Sequence, residues 1–195
     1  MKGQNDPLFW QTLERKRVYN GKIFDICQVE RQSTAGQKGE FVEVNAPQWT
    51  TVLPWFRSEE GEPSFVMVRQ YRHGSNSVVV EFPAGTVDPN ETPCEAALRE
   101  LEEETGYVPV GKVTKLGSVS PNPAFMTNRV YFYLVEGLFD KKKQKLDENE
   151  QLEIIIMPVE KVLNLMGTEE FDNGIMMIAQ AYFVRYAQNN LYLLN

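Results

Sequence analysis

Residues 85–107 read GTVDPNETPCEAALRELEEETGY, and the interpretation of the chain turns on this stretch. Thr92-Pro93-Cys94-Glu95 forms a capping box. Thr92 is the N-cap, Pro93 takes the first helical position, and Glu95 lies three residues past the cap. Gly106 is placed to end the same helix in a left-handed turn, so the pattern predicts a helix from Pro93 to Thr105. At about 100° per residue, Cys94, Ala97, Leu98, Leu101 and Thr105 share an arc expected to face the core. Glu100, Glu103 and Glu104 fall on a second arc, with Ala96 one turn earlier, where its small side chain is expected to leave room for something to approach. This charge placement opposes stability. Glu100 and Glu104 are a like-charge i,i+4 pair, and the helix dipole disfavours acids near a C-terminus. Divalent cations would reverse both penalties, since carboxylate oxygens are hard ligands suited to Mg²⁺ or Mn²⁺. Taken alone, such a cluster is also what a solvated acidic face looks like.

Outward from this helix, the 195-residue chain is 42% hydrophobic and 24% charged, enough for one domain with a substantial core or one domain plus a small appendage. Its formal net charge of −7 argues against a dedicated nucleic-acid or anionic-membrane binder, whose affinity rests on a cationic surface. The N-terminal stretch MKGQNDPLFW lacks an apolar signal core and no run is long enough to span a bilayer, so a cytoplasmic location is expected. Cys27 and Cys94 fit a reducing compartment and form no zinc pattern. His73 is the only histidine and is expected in a turn, so no Cys-His or Ser-His-Asp mechanism is supported.

Residues 13–45 alternate apolar and polar positions around turn residues, which reads as strands joined by hairpin turns. Strand-like runs follow at Thr50–Phe56, Ser64–Val68 and Val78–Phe82, then past the helix at Val113–Val119, Val130–Val135 and Glu153–Pro158. Asp140–Glu150 reads as a charged loop, and Val159–Met166 and Ile175–Asn189 read as helices. Strands interleaved with few helices predict an α+β class, as a mixed α/β/α sandwich, with residues 1–45 a β-strand subdomain and 46–195 the main domain.

The stretch from Gly85 to Tyr107 resembles the Nudix box at every fixed position: Gly85, Glu91, Arg99, Glu100, Leu101, Glu103, Glu104, Gly106 and Tyr107. Seven exact identities at roughly 7% each give about 10⁻⁸ per starting position on average composition. Tyr107 stands where an aliphatic residue is commoner. The resemblance implies a Nudix fold and Mg²⁺- or Mn²⁺-dependent hydrolysis of a nucleoside diphosphate linked to another group. By position it makes Glu100, Glu104 and the Ala84 carbonyl metal ligands, with Glu103 on the metal face. Arg99 would orient the carboxylates, and Glu91 would brace the loop before the helix.

Val68-Arg69-Gln70-Tyr71-Arg72, Glu81-Phe82-Pro83-Ala84-Gly85 and Pro123 resemble the ADP-ribose pyrophosphatase branch and its nucleotide-sugar relatives. The loop Ser120-Pro121-Asn122-Pro123 lacks the glycine typical of ADP-ribose enzymes, which keeps GDP-mannose and other nucleotide sugars open as substrates, beside a catalytically silent nucleotide-binding module. Asp147–Glu150 resembles the loop that supplies the catalytic base, placing that base at Glu148, with Glu150 as second choice or an additional metal ligand. Arg72 is the candidate phosphate contact, the alternative being a surface salt bridge. Phe41 is the candidate stacking platform for the nucleobase, with Trp49 the alternative and core packing possible for either. Pro123 is expected over the substrate. The resemblance further implies a homodimer built by the N-terminal strands.

Overall fold

The alternation in the first 45 residues becomes an antiparallel meander of β1 (Trp10–Asn20), β2 (Asp25–Ser33) and β3 (Lys38–Asn45). The computed structural model describes residues 6–146 and 151–194, so Glu148 and Glu150 lie outside the described residues. The meander has little core of its own. Cys27 and Val29 are buried, whereas Leu13, Val18, Ile23 and Val42 are exposed. Residues 120–129, far away in sequence, belong to the same compact unit. Val44 N donates to Phe125 O at 2.8 Å, Thr127 N to Val44 O at 3.1 Å, and Asn128 Nδ2 to Pro47 O at 2.9 Å.

The second unit comprises Gln48–Val119 and Val130–Asn195. Its elements are β4 (Trp49–Arg57), β5 (Pro63–Arg72), β6 (Ser77–Glu81), β7 (Ala84–Thr86), α1 (Pro93–Thr105), β8 (Tyr107–Pro109), β9 (Val113–Val119), β10 (Val130–Glu136), β11 (Leu138–Lys141), β12 (Leu152–Pro158), α2 (Val159–Leu165) and α3 (Gly174–Ala187). A seven-stranded mixed sheet runs β12-β5-β4-β10-β9, with β6 on β5 and β7 on β4. Strands β4 and β10 are parallel and the other pairs antiparallel.

Alternate residues of β10 face opposite sides of this sheet, as the period of two requires. Phe132 and Leu134 pack with Leu53, Phe65 and Phe183 on the side of α2 and α3. Tyr133 and Val135 pack with Val52, Ala97 and Leu101 on the side of α1. Burial on both faces explains why the central strands read as continuous apolar runs. The class is α+β, as an α/β/α sandwich. Each fully buried side chain of the size of Leu101 contributes about 1.5–3 kcal/mol.

Two details differ from the expectations above. Ala96 is fully buried and Glu104 is 2% exposed, so the acidic arc of α1 is not an open face. The cause is β7, which packs along that side of the helix together with β4. The expected loop from Asp140 begins inside β11, which pairs with β8 some thirty residues earlier; such short strands carry no legible alternation. No helix among the described residues is long and apolar enough to cross a membrane.

Candidate active site

Helix α1 presents its acids where two pieces of local chemistry hold it. At its start Thr92 Oγ1 accepts from Glu95 N and Glu95 Oε2 accepts from Thr92 N, closing the capping box. At its end Gly106 sits at φ 73°, where a Cβ would come within 2.1 Å of the Lys142 carbonyl. That close approach belongs to a strap formed by residues 142–145. Lys142 N donates to Gly106 O at 2.8 Å, Lys145 N to Glu103 O at 2.9 Å, and Gln144 Nε2 to Glu104 O at 2.7 Å. The strap satisfies carbonyls that any helix leaves open, and Lys142 Nζ pairs with Glu102 at 3.0 Å. The last turn of α1 contains no basic residue, so the cations come from this distant segment instead.

Arg99 organises the acidic arc. Its Nε and Nη2 donate to the two oxygens of Glu91 at 2.9 and 3.1 Å, and Nη1 reaches Glu100 Oε1 at 2.8 Å and Glu103 Oε2 at 2.9 Å. Nη2 also donates to Thr86 O at 3.0 Å, which ties the helix to β7. These hydrogen bonds, that to Glu91 foremost, hold the guanidinium well above its already high range. Glu104 turns away from Arg99, with Oε2 accepting from Ala84 N at 3.2 Å. Gly85 completes the arrangement by absence. A Cβ there would lie 2.0 Å from Glu100 Oε1, so this carboxylate occupies the space a side chain would fill.

The structure therefore brings Ala84, Glu100, Glu103, Glu104 and Arg99 together. One guanidinium among the carboxyl groups of Glu91, Glu100, Glu103 and Glu104 leaves the cluster with excess negative charge. Among the described residues no group of three His, Cys, Asp or Glu side chains is preassembled to hold a metal ion, and Arg99 takes one oxygen each of Glu100 and Glu103. The donor set still fits a hard divalent cation. Carboxylate oxygens meet a backbone segment in the space left by Gly85.

The Arg99 hydrogen bond also holds the Glu91 carboxyl below the usual carboxylate range. The folded state then binds this proton less readily than the unfolded chain. The resulting stability is present above the unfolded pKa of about 4.3 and is lost as pH falls through the lower folded value. Glu91→Gln is expected to flatten the acid limb of the Tm-against-pH curve below about pH 5. An unchanged acid limb in that variant would remove Glu91 from the brace.

Beside β7 lies a cleft of about 340 Å³ lined by Trp49, Thr50, Arg72, Ala84, Gly85 and Asn173, among others. Arg72 is in an ion pair whose partner is buried. Its Nε and Nη2 reach Glu81 Oε2 at 2.8 and 2.6 Å, and Glu81 is fully buried. Trp49 lines this cleft and packs against the main core. In the N-terminal unit a separate pocket of about 540 Å³ brings Phe41 and Pro123 together, with Trp10, Arg31 and Glu43. Phe41 is 43% exposed and meets Trp10 edge to face at 5.4 Å. Glu43 is buried between Arg15 and Arg31. His73 sits in the turn after β5, and both cysteines are free.

Asn173, Trp10 and Arg31 escaped the sequence reading, and Glu81 entered it only within the stretch Glu81–Gly85, with no role of its own. A signal existed for Glu81, as the one charge in the apolar run Val78–Phe82. Asn173 also had one, as a cap residue before an apolar helix.

The NUDIX domain family model matches residues 46–177. The ADP-ribose pyrophosphatase of Bacillus subtilis (strain 168) is 31% identical over 179 residues, covering 91% of this chain and 92% of that protein. The methanol dehydrogenase activator of Bacillus methanolicus is 28% identical over 173 residues, covering 88% and 91%. A crystal structure of an ADP compounds hydrolase shares the fold with a TM-score of 0.79 at 21% identity, covering 94% of this chain and 97% of that one.

Proposed function

The chain belongs to the Nudix family of pyrophosphohydrolases, and on that premise we propose that it hydrolyses the diphosphate of an ADP-ribose-type nucleoside diphosphate sugar with Mg²⁺ or Mn²⁺. The observation that carries this reading is the carboxylate face of α1, gathered by Arg99 and set against Ala84 and Gly85. Glu100, Glu104 and the Ala84 carbonyl are the ligands that hold the cation, with Glu103 beside them and Glu150 a further candidate. When bound, the cation screens the diphosphate charge and makes phosphorus more electrophilic. Arg99 keeps the carboxylates from repelling one another before the cation arrives. Arg72 binds a phosphate oxygen through its guanidinium fork. Glu148 takes a proton from the attacking water as the new P–O bond forms and the bridging P–O bond breaks. The products are a nucleoside monophosphate and a sugar phosphate.

Phe41 provides the stacking face for the nucleobase, and Pro123 of the same pocket bounds the substrate. The protein acts in the cytoplasm, which the free cysteines favour. It works as a homodimer formed through the N-terminal strands; β1 supports this, being exposed along almost its whole length while carrying Leu13, Val18 and Tyr19.

The test is nucleotide release from ADP-ribose, ADP-glucose, GDP-mannose, UDP-glucose, NADH, dinucleoside polyphosphates and nucleoside triphosphates, with and without Mg²⁺. Preferential cation-dependent cleavage of ADP-ribose is the expected result. A preference for GDP-mannose would shift the substrate to that branch, and cleavage of nothing by folded protein would favour a silent binding module.

A further inference from the structure

We propose that Glu81 is the positioning residue for Arg72, holding its guanidinium edge-on so that the opposite edge is presented to a phosphate in the cleft. The inference deepens the function proposed above, since it rests on Arg72 as the phosphate contact.

A fully buried carboxylate persists only when its oxygens are well supplied with donors. Glu81 has them from three residues, two on β5 and one at the start of α3. Oε2 accepts from Arg72 Nε at 2.8 Å, from Arg72 Nη2 at 2.6 Å and from Gln70 Nε2 at 3.3 Å. Oε1 accepts from Asn173 Nδ2. The Asn173 side chain also caps α3, its oxygen accepting from Ile175 N at 2.8 Å. One carboxylate thus fixes both Arg72 and the residue that starts α3, and both residues line the same cleft.

The geometry of the pair carries the inference. A guanidinium has five N–H donors in a rigid fork. Glu81 takes the Nε–Nη2 edge on one oxygen, so this edge of the fork is held by a group that is itself immobilised. The Arg72 side chain remains 43% exposed, and among the described residues Nη1 has no partner. An exposed ion pair would leave both side chains free to wander and would fix nothing. Here only the arginine is accessible, and it lines the cleft. The arrangement lowers the conformational freedom Arg72 must lose when it grips an oxyanion.

The experiment is calorimetric titration of metal-free protein with ADP-ribose and with inorganic pyrophosphate, using wild type, Arg72→Ala, Glu81→Gln and the double variant, beside melting curves for each. Glu81→Gln keeps the shape of the side chain and should weaken ADP-ribose binding about tenfold, the scale of one charge-assisted hydrogen bond. In the Arg72→Ala background the same change should have no further effect on affinity, because Glu81 acts through the arginine. Glu81→Asp, which keeps the charge, should recover part of the loss and serves as the informative variant if Glu81→Gln does not fold.

Three results would overturn the inference. Affinity losses that multiply in the double variant would show Glu81 acting independently of Arg72. A fall in melting temperature with unchanged affinity would make Glu81 structural only, while an Arg72→Ala loss would still stand. Unchanged affinity in Arg72→Ala, or no binding of either probe by wild type, would remove the phosphate contact itself and Glu81 with it.

Discussion

Glu104→Gln is expected to lower kcat by about 10³-fold, the scale for removing one preorganised electrostatic contact at a reacting centre. The fold should survive the change. Glu104 is 2% exposed and its Oε2 accepts from Ala84 N at 3.2 Å. Glutamine has the same shape and keeps a carbonyl oxygen able to take that hydrogen bond. What it loses is the negative charge, which strengthens the hydrogen bond somewhat but matters far more to holding a divalent cation. Circular dichroism and Tm should therefore match wild type while turnover at saturating substrate and Mg²⁺ collapses. Near-normal turnover with an unaltered Mg²⁺ dependence would sink the assignment of Glu104 as a ligand.

Arg99→Leu should do the converse, costing stability first. The leucine retains bulk on the helix but abandons Glu91, Glu100 and Glu103, together with the Thr86 carbonyl. Breaking a fully buried ion pair from one side costs about 3–5 kcal/mol. The Arg99 side chain is 29% exposed, so solvent screening reduces the expected loss to about 2–3 kcal/mol. For a chain of this size that is a fall in Tm of roughly 5–10 °C. Millimolar Mg²⁺ should restore a larger part of the loss in the variant than it adds to wild type, because the cation replaces the missing positive charge. Thermal melts with and without Mg²⁺ decide the matter. A variant whose Tm ignores Mg²⁺ would mean that these carboxylates are not where the cation binds.

Helix α1 was legible because its information is local: the capping box, the apolar arc and the terminal glycine lie within fifteen residues of each other, and each has a short-range physical cause. The interleaved order of strands and helices likewise led to the α/β/α sandwich. Long-range pairings were hidden. Arg72 and Glu81 are nine residues apart on adjacent strands, but Asn173 reaches Glu81 across 92 residues, and no periodicity records such a meeting. The strap at residues 142–145 was hidden for another reason. It binds α1 largely through backbone groups, which every sequence possesses, so its lysines read as ordinary solvated charge. The shared pocket of Phe41 and Pro123 depends on residues 120–129 returning to β3, and nothing in their composition announces it.

That return has a consequence for how the protein is made. The three-stranded meander is synthesised ahead of residues 120–129, and Thr127 meets Val44 across 83 residues. At about 5–20 residues per second, its missing segment leaves the ribosome roughly 4–17 seconds later. During that interval a sheet with a nearly bare first strand waits without its final partner, a state open to chaperones and to mispairing with neighbouring nascent chains. Deleting the first 47 residues would not free a tidy catalytic domain either, because it would strand residues 120–129 without the backbone they were built to join.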